Sequence, residues 1–143
     1  MRKVWNAALL LGIGLGFWVG PSHLFAQACK DELSMVEGSR QDLTAFAATV
    51  KGESLSKFET LNHQKGAVSK LSLHDGMMGE LIECFDKASH DPTVSKEDAA
   101  AALKQHDDAV KVQTKIKREE HAIRAAENPQ NAKTLVAGLN FEP

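Results

Sequence analysis

Tyrosine is absent from this chain, and its two tryptophans, Trp5 and Trp18, both fall near its start. Past residue 28 the aromatic side chains are Phe46, Phe58, Phe85 and Phe141 alone. Bases and sugars are held largely by stacking on aromatic rings, so such binding has little to stand on here. The same shortage deprives a large core of its bulkiest filling, and one small domain is what about 115 residues can close.

Basic charge is also short. Setting aside the first 28 residues removes Arg2 and Lys3 and no acid, leaving 15 of 17 basic side chains against all 19 acidic ones, a net charge of −4. Affinity for phosphate backbones needs a basic surface, so no nucleic-acid partner is expected. Alternating β-branched and aromatic runs are missing, while alanine, lysine, glutamate, glutamine and leucine dominate. The expected fold is therefore all-α.

Motifs of catalysis are missing too. No Gly-x-Ser-x-Gly elbow, phosphate-cradling glycine loop, His-Glu-x-x-His, Cys-x-x-Cys-His or Glu-x-x-His pair occurs. We expect a protein that is not an enzyme and carries no cofactor.

What is present begins at the N-terminus. Met1-Arg2-Lys3 supplies a positive start, and Ala7 to Gly20 runs without charge over about fourteen residues, the span of a signal-peptide core. A bilayer-spanning helix needs about 20 apolar residues, and four glycines followed by Pro21 make this a poor anchor. Ala26-Gln27-Ala28 places small residues where a signal peptidase reads, which predicts a signal peptide over 1–28, cleavage after Ala28, and a single helical domain over 29–143. The product would be secreted or periplasmic, with no stable transmembrane segment after processing. Cys29 at the new terminus also raises a lipoprotein reading, which fits less well because Ala26 and Gln27 stand where such a signal carries an aliphatic and then a small residue, and an eight-residue spacer separates the site from the apolar core.

Cys29 and Cys84 are the only cysteines. In an oxidising compartment they are expected to pair, closing a long loop; the alternative is a free, buried Cys84 with Cys29 acylated or exposed. If the first two helices fold back about Gly52, Cys29 faces position 76, and Cys84 lies eight residues further, some 12 Å along the axis. A bond then requires the arm before Gly38 to unwind.

Hydrophobic spacing outlines the helices. Leu33, Val36, Leu43, Ala47 and Val50, with Arg40 among them, form one stripe, and Ser39 with Asp42 offers a capping box where the helix could restart. A second helix opens at Ser54 or Ser56 and carries Leu61, Val68, Leu71, Met78, Ile82 and Phe85, widened by His74, Met77, Leu81, Cys84 and Ala88. Breaks near Gly66 or Gly76 compete with close packing at those glycines. Ser95 and Asp98 cap a third helix with Ala99, Leu103, His106 and Val110 inward, giving way to Val112, Ile116 and Ile123. Asn128-Pro129 starts a short last helix ending at Gly138, with Phe141 pinning the tail. The simplest closure is a small up-and-down bundle of three main helices plus a short C-terminal one.

Three features hint at chemistry. His74, Met77 and Met78 share a helix face, and imidazole with thioethers suits copper in an exported protein, although methionine at such spacing is ordinarily core filler. A haem between His106 and His74 is a remoter variant. Lys111, Lys115 and Arg118 share a face that could meet an acidic partner or lipid head groups; a solvated face with pairs such as Lys115 with Glu119 is the ordinary explanation. The leading expectation is an exported, non-catalytic bundle acting by contact with an unknown protein or envelope partner. The alternative is a periplasmic copper- or haem-binding helical protein. An envelope-stress chaperone is a third, resting only on size, export and helicity.

Overall fold

The computed structural model describes residues 28–141; the signal segment inferred above lies outside them except for Ala28. The described residues form α1 (Lys30–Gly52), α2 (Leu55–Thr60), α3 (His63–Ser89), α4 (Lys96–Ala125) and α5 (Pro129–Ala137). They contain no strand, and the architecture is the small all-α bundle anticipated: three long helices and a short C-terminal one, with α2 as an added turn.

Side-chain caps set several helix starts. Ser54 Oγ accepts the Lys57 N–H at 3.2 Å, and Ser95 Oγ accepts that of Asp98 at 3.0 Å while donating to Asp98 Oδ2 at 2.8 Å. Asn128 Oδ1 accepts the Gln130 N–H at 2.8 Å, ahead of Pro129 at the first helical position. Ser39 and Asp42 start nothing, because α1 runs unbroken through Gly38.

The second predicted helix is divided, though at neither glycine. Asn62 adopts the left-handed conformation, φ 52° and ψ 44°, which asparagine tolerates better than most residues, and the chain turns there from α2 into α3. Gly66, Gly76 and Gly79 all lie inside an unbroken α3. At two of them a neighbour lies near, but a side chain would fit: a Cβ would stand in ordinary contact, 3.6 Å from the Phe46 ring at Gly66 and 3.6 Å from the Gln113 amide at Gly79.

This division corrects the hairpin geometry. The connection from α1 to α3 consumes ten residues, Glu53 to Asn62, instead of turning at Gly52. The register therefore slides by about two helical turns, so that Asp42 pairs with Lys70 at 2.5 Å and Gly66 packs under Phe46. Cys29 then faces Cys84, and the two are joined by a disulfide with Cα atoms 5.9 Å apart. No unwinding of α1 is needed.

Helix α3 is the hub, with α4 along one side and α1 along another, while α5 packs against α1, α3 and α4 to close the remaining side. At 1.5 Å per residue α4 is about 45 Å long and α5 about 14 Å, so α5 covers only part of the bundle. The α1 stripe lies as expected, with Val36, Leu43, Ala47 and Val50 buried. On α3 the buried line is Ala67, Leu71, His74, Met78, Leu81 and Phe85, which runs between the two proposed stripes, taking Leu71, Met78 and Phe85 from the first and His74 and Leu81 from the second; Leu61 is exposed.

Helix α4 departs from its expected phase. Its buried residues are Asp98, Ala102, Gln105, Ala109, Ile116 and Ile123, whereas Leu103 and Val110 face solvent. The four consecutive alanines at 99–102 carry no size contrast, and the small side of the helix is the one that seats inward. The tail behaves as expected, with Leu139 and Phe141 buried after Gly138.

Candidate interaction surface at the disulfide end

Helix α3 carries Leu73, Met77, Glu80, Cys84 and Lys87 at alternating spacings of four and three, a single stripe along the edge that meets α1. The disulfide locks this edge to α1, whose Glu32 and Met35 lie close to the bond in sequence. Met35 is six residues from Cys29, which puts it level with Met77 and Met78 on the antiparallel α3. Leu73 is 60% exposed and Met35 41% exposed, while Met77 is half-buried against the core.

The apolar stretch runs into a charged recess. A shallow cavity of about 250 Å³ is lined by Glu32 of α1 and by Glu80, Glu83, Cys84 and Lys87 of α3. Three carboxylates and one ammonium thus line one recess. Lys87 Nζ lies 2.6 Å from Glu83 Oε1, and this hydrogen bond holds the Glu83 carboxyl below its usual range. The same bond raises the Lys87 ammonium, helped by the more distant Glu32 charge. On the other side of Cys84 and Lys87 a second recess of about 430 Å³ is lined by Ala28, Ala88, Asp91, Thr93 and Val94.

The proposed metal ligands are divided, with Met77 on this edge and His74 and Met78 inside the bundle. His74 and Met78 are each 1% exposed inside the bundle, and the His74 ring packs against Phe141 with centroids 5.7 Å apart. Burial, with the Arg40 charge in support, lowers the His74 pKa to about 4, and its Nδ1 has no hydrogen-bond partner. A guanidinium felt by the imidazole opposes a second cation. Cys84 is committed to the disulfide and offers no thiolate. Among the described residues no three His, Cys, Asp or Glu side chains are grouped to hold a metal ion.

His106 is also apart from His74. Gln113 Nε2 donates to the Asp75 carbonyl at 3.3 Å, and His106 lies seven residues before Gln113, about 10 Å along α4 from the level of His74. The structure therefore does not bring the two imidazoles to opposite faces of one haem. The basic face of α4 is likewise divided. Lys111 pairs with Asp108 at 3.1 Å, and Lys115 donates to the Asn140 carbonyl at 2.5 Å and lies over Phe141, in place of the expected pairing with Glu119.

Another histidine marks the opposite corner of the bundle. His63 Nε2 lies 2.8 Å from Glu53 Oε2, and its ring meets Phe46 edge-on with centroids 5.3 Å apart. The two polar atoms are close without meeting hydrogen-bond geometry. The Glu53 carboxyl is lowered first by its bond to Lys57 and then by His63. This corner fixes the α1–α3 connection and thereby the register at the disulfide.

Sequence reasoning overlooked Leu73, Met35 and the acidic trio. Leu73 belongs to neither proposed stripe of its helix, and Met35 stands off the α1 stripe; an apolar side chain out of phase was the available signal. The convergence of Glu32 with Glu80 and Glu83 had none, since it depends on the slid register.

No family model matches the chain, and neither does any curated protein or solved structure. The functional reading rests on the chemistry of its own residues.

Proposed function

We propose that this chain is an exported, non-catalytic helical bundle that works by contact with another protein. The observation that carries this reading is the exposed Leu73 and Met35, with the half-buried Met77 on the same edge, beside the acidic recess, since large apolar side chains held out of a core by rigid helices suit a partner surface. Leu103 and Val110, exposed on one face of α4, add a second such edge. Export is supported by the leader-like Met1 to Ala28 and by the cysteine pair, which suits an oxidising compartment. No helix among the described residues is long and apolar enough to cross a membrane. The acidic recess disfavours anionic lipid head groups, which is why a protein is preferred to the envelope surface.

A photocrosslinking residue placed at position 73, 103 or, as a control, 44 tests the reading in the native cell. Thr44 is exposed on α1 away from these edges. The expected result is a discrete adduct from position 73 or 103 and none from 44. Identical behaviour at all three, or robust turnover of a small molecule by the purified protein, would contradict it.

A further inference from the structure

We infer that the groove between α1 and α3 at the disulfide end is a docking site for a cationic amphipathic segment of a partner protein, its apolar side seated on Leu73 and Met35 and its lysines or arginines in the Glu32, Glu80 and Glu83 recess. This deepens the contact reading above and rests on it.

Two independent properties of the groove select that occupant. Its apolar part is a line and not a broad patch: Leu73 and Met77 stand four residues apart on α3, with Met35 level with Met77 across the register. A line of this kind accepts anchors repeating at three and four residues, the spacing of one helix face. Methionine makes the lining adaptable, because an unbranched thioether side chain repacks around differently shaped partners.

Charge settles the rest. Glu32, Glu80 and Glu83 converge from two helices, and Lys87 is already engaged by Glu83. The recess therefore keeps an excess of negative charge, and the chain past residue 28 carries a net charge of −4. An acidic or neutral apolar segment would leave these carboxylates without counter-charge, whereas a basic one supplies it and is steered toward the site. From Leu73 to Lys87 the edge runs about 21 Å, the length of a helix of roughly fourteen residues.

Rigidity comes from the disulfide. Cys84 lies within the stripe, midway between Glu80 and Lys87 or nearly so, and its bond to Cys29 fixes the α1 half of the groove against the α3 half. A preformed groove avoids part of the ordering cost of binding.

The test uses a labelled amphipathic helical peptide of leucine and lysine, read by fluorescence anisotropy against the native, disulfide-intact protein. Its two controls are a scrambled peptide without a helical face and a version with glutamate replacing lysine. Saturable binding of the first peptide alone is expected, weakened at least about tenfold by Leu73→Glu and, in low salt, several-fold by Glu80→Lys. Thr44→Glu, on the exposed side of α1 away from the groove, should leave it unchanged and controls for loss of folding. Absence of binding, equal binding of the glutamate peptide, or equal losses from Leu73→Glu and Thr44→Glu would overturn the proposal. If the peptide fails while position 73 still crosslinks a partner in the cell, the contact reading stands and the partner's chemistry assigned here is wrong. If both fail, the reading falls with it.

Discussion

Cys29 and Cys84 meet in the same helical register that pairs Asp42 with Lys70: thirteen residues back from Asp42 on α1 and fourteen forward from Lys70 on α3 arrive at the two cysteines. The bond therefore closes a hairpin already aligned by an ion pair and by the Phe46–Gly66 contact. Breaking it should cost stability through the unfolded chain more than through the native packing. With a sequence separation of 55, loop closure is worth about 4 kcal/mol in the chain-entropy picture. The paired substitution Cys29→Ser with Cys84→Ser is expected to lower the urea-unfolding free energy by about 3 kcal/mol while leaving the helical circular-dichroism signal intact.

Asn62 is the pivot on which that register depends. Its left-handed conformation costs a side chain with a Cβ about 1 kcal/mol, less for asparagine and nothing for glycine. Asn62→Ala is expected to destabilise by a fraction of that, under about 1 kcal/mol, and Asn62→Gly to be neutral or nearly so, as read by urea midpoints. A loss from both would show that the asparagine side chain, and not the backbone, is what matters.

His74 should make stability depend on acid. Its folded pKa of about 4 lies below the ordinary histidine value of about 6.5, so the unfolded chain takes up a proton over a range where the folded one does not. Above pH 6.5 both states are neutral and nothing is lost; as pH falls from about 6.5 toward 4 the folded state loses up to about 3 kcal/mol, and below 4 the loss levels off. Unfolding free energies of the wild type and of His74→Leu at pH 7, 5.5 and 4 should diverge by this amount, with the wild type the more pH-sensitive. Parallel curves would show that the imidazole is not held neutral.

Glycines inside α3 offer a gain. At Gly76 a Cβ would meet nothing within 4 Å, so Gly76→Ala should stabilise by up to about 1 kcal/mol through helix propensity. Gly66→Ala should gain less, because the new methyl lies in ordinary contact with Phe46 at 3.6 Å. Thermal or urea midpoints of the two variants decide this.

Much of the bundle was legible where side chains differ in size or cap a helix. The α1 stripe through Val36, Leu43 and Val50 is large against polar, Ser95 with Asp98 is a local hydrogen-bonding pair, and Asn128-Pro129 fixes a helix start by its own chemistry. The register was not legible, because it turns on one left-handed asparagine and a six-residue helix that periodicity does not announce. Nor was the phase of α4, where an alanine run gives no contrast and Leu103 and Val110 drew the reading toward the wrong face. The candidate surface inherited both gaps. Its residues are those left over when the core is assigned, and their convergence appears only once α1 and α3 are correctly aligned.

An exported bundle closed by Cys29 and Cys84 has its plainest test in the intact mass of the native protein before and after reduction. The expected mass is that of a chain that begins at Cys29, carries no acyl group, and gains two hydrogens on reduction. A mass retaining Met1 to Ala28, a lipid on Cys29, or no change on reduction would contradict it.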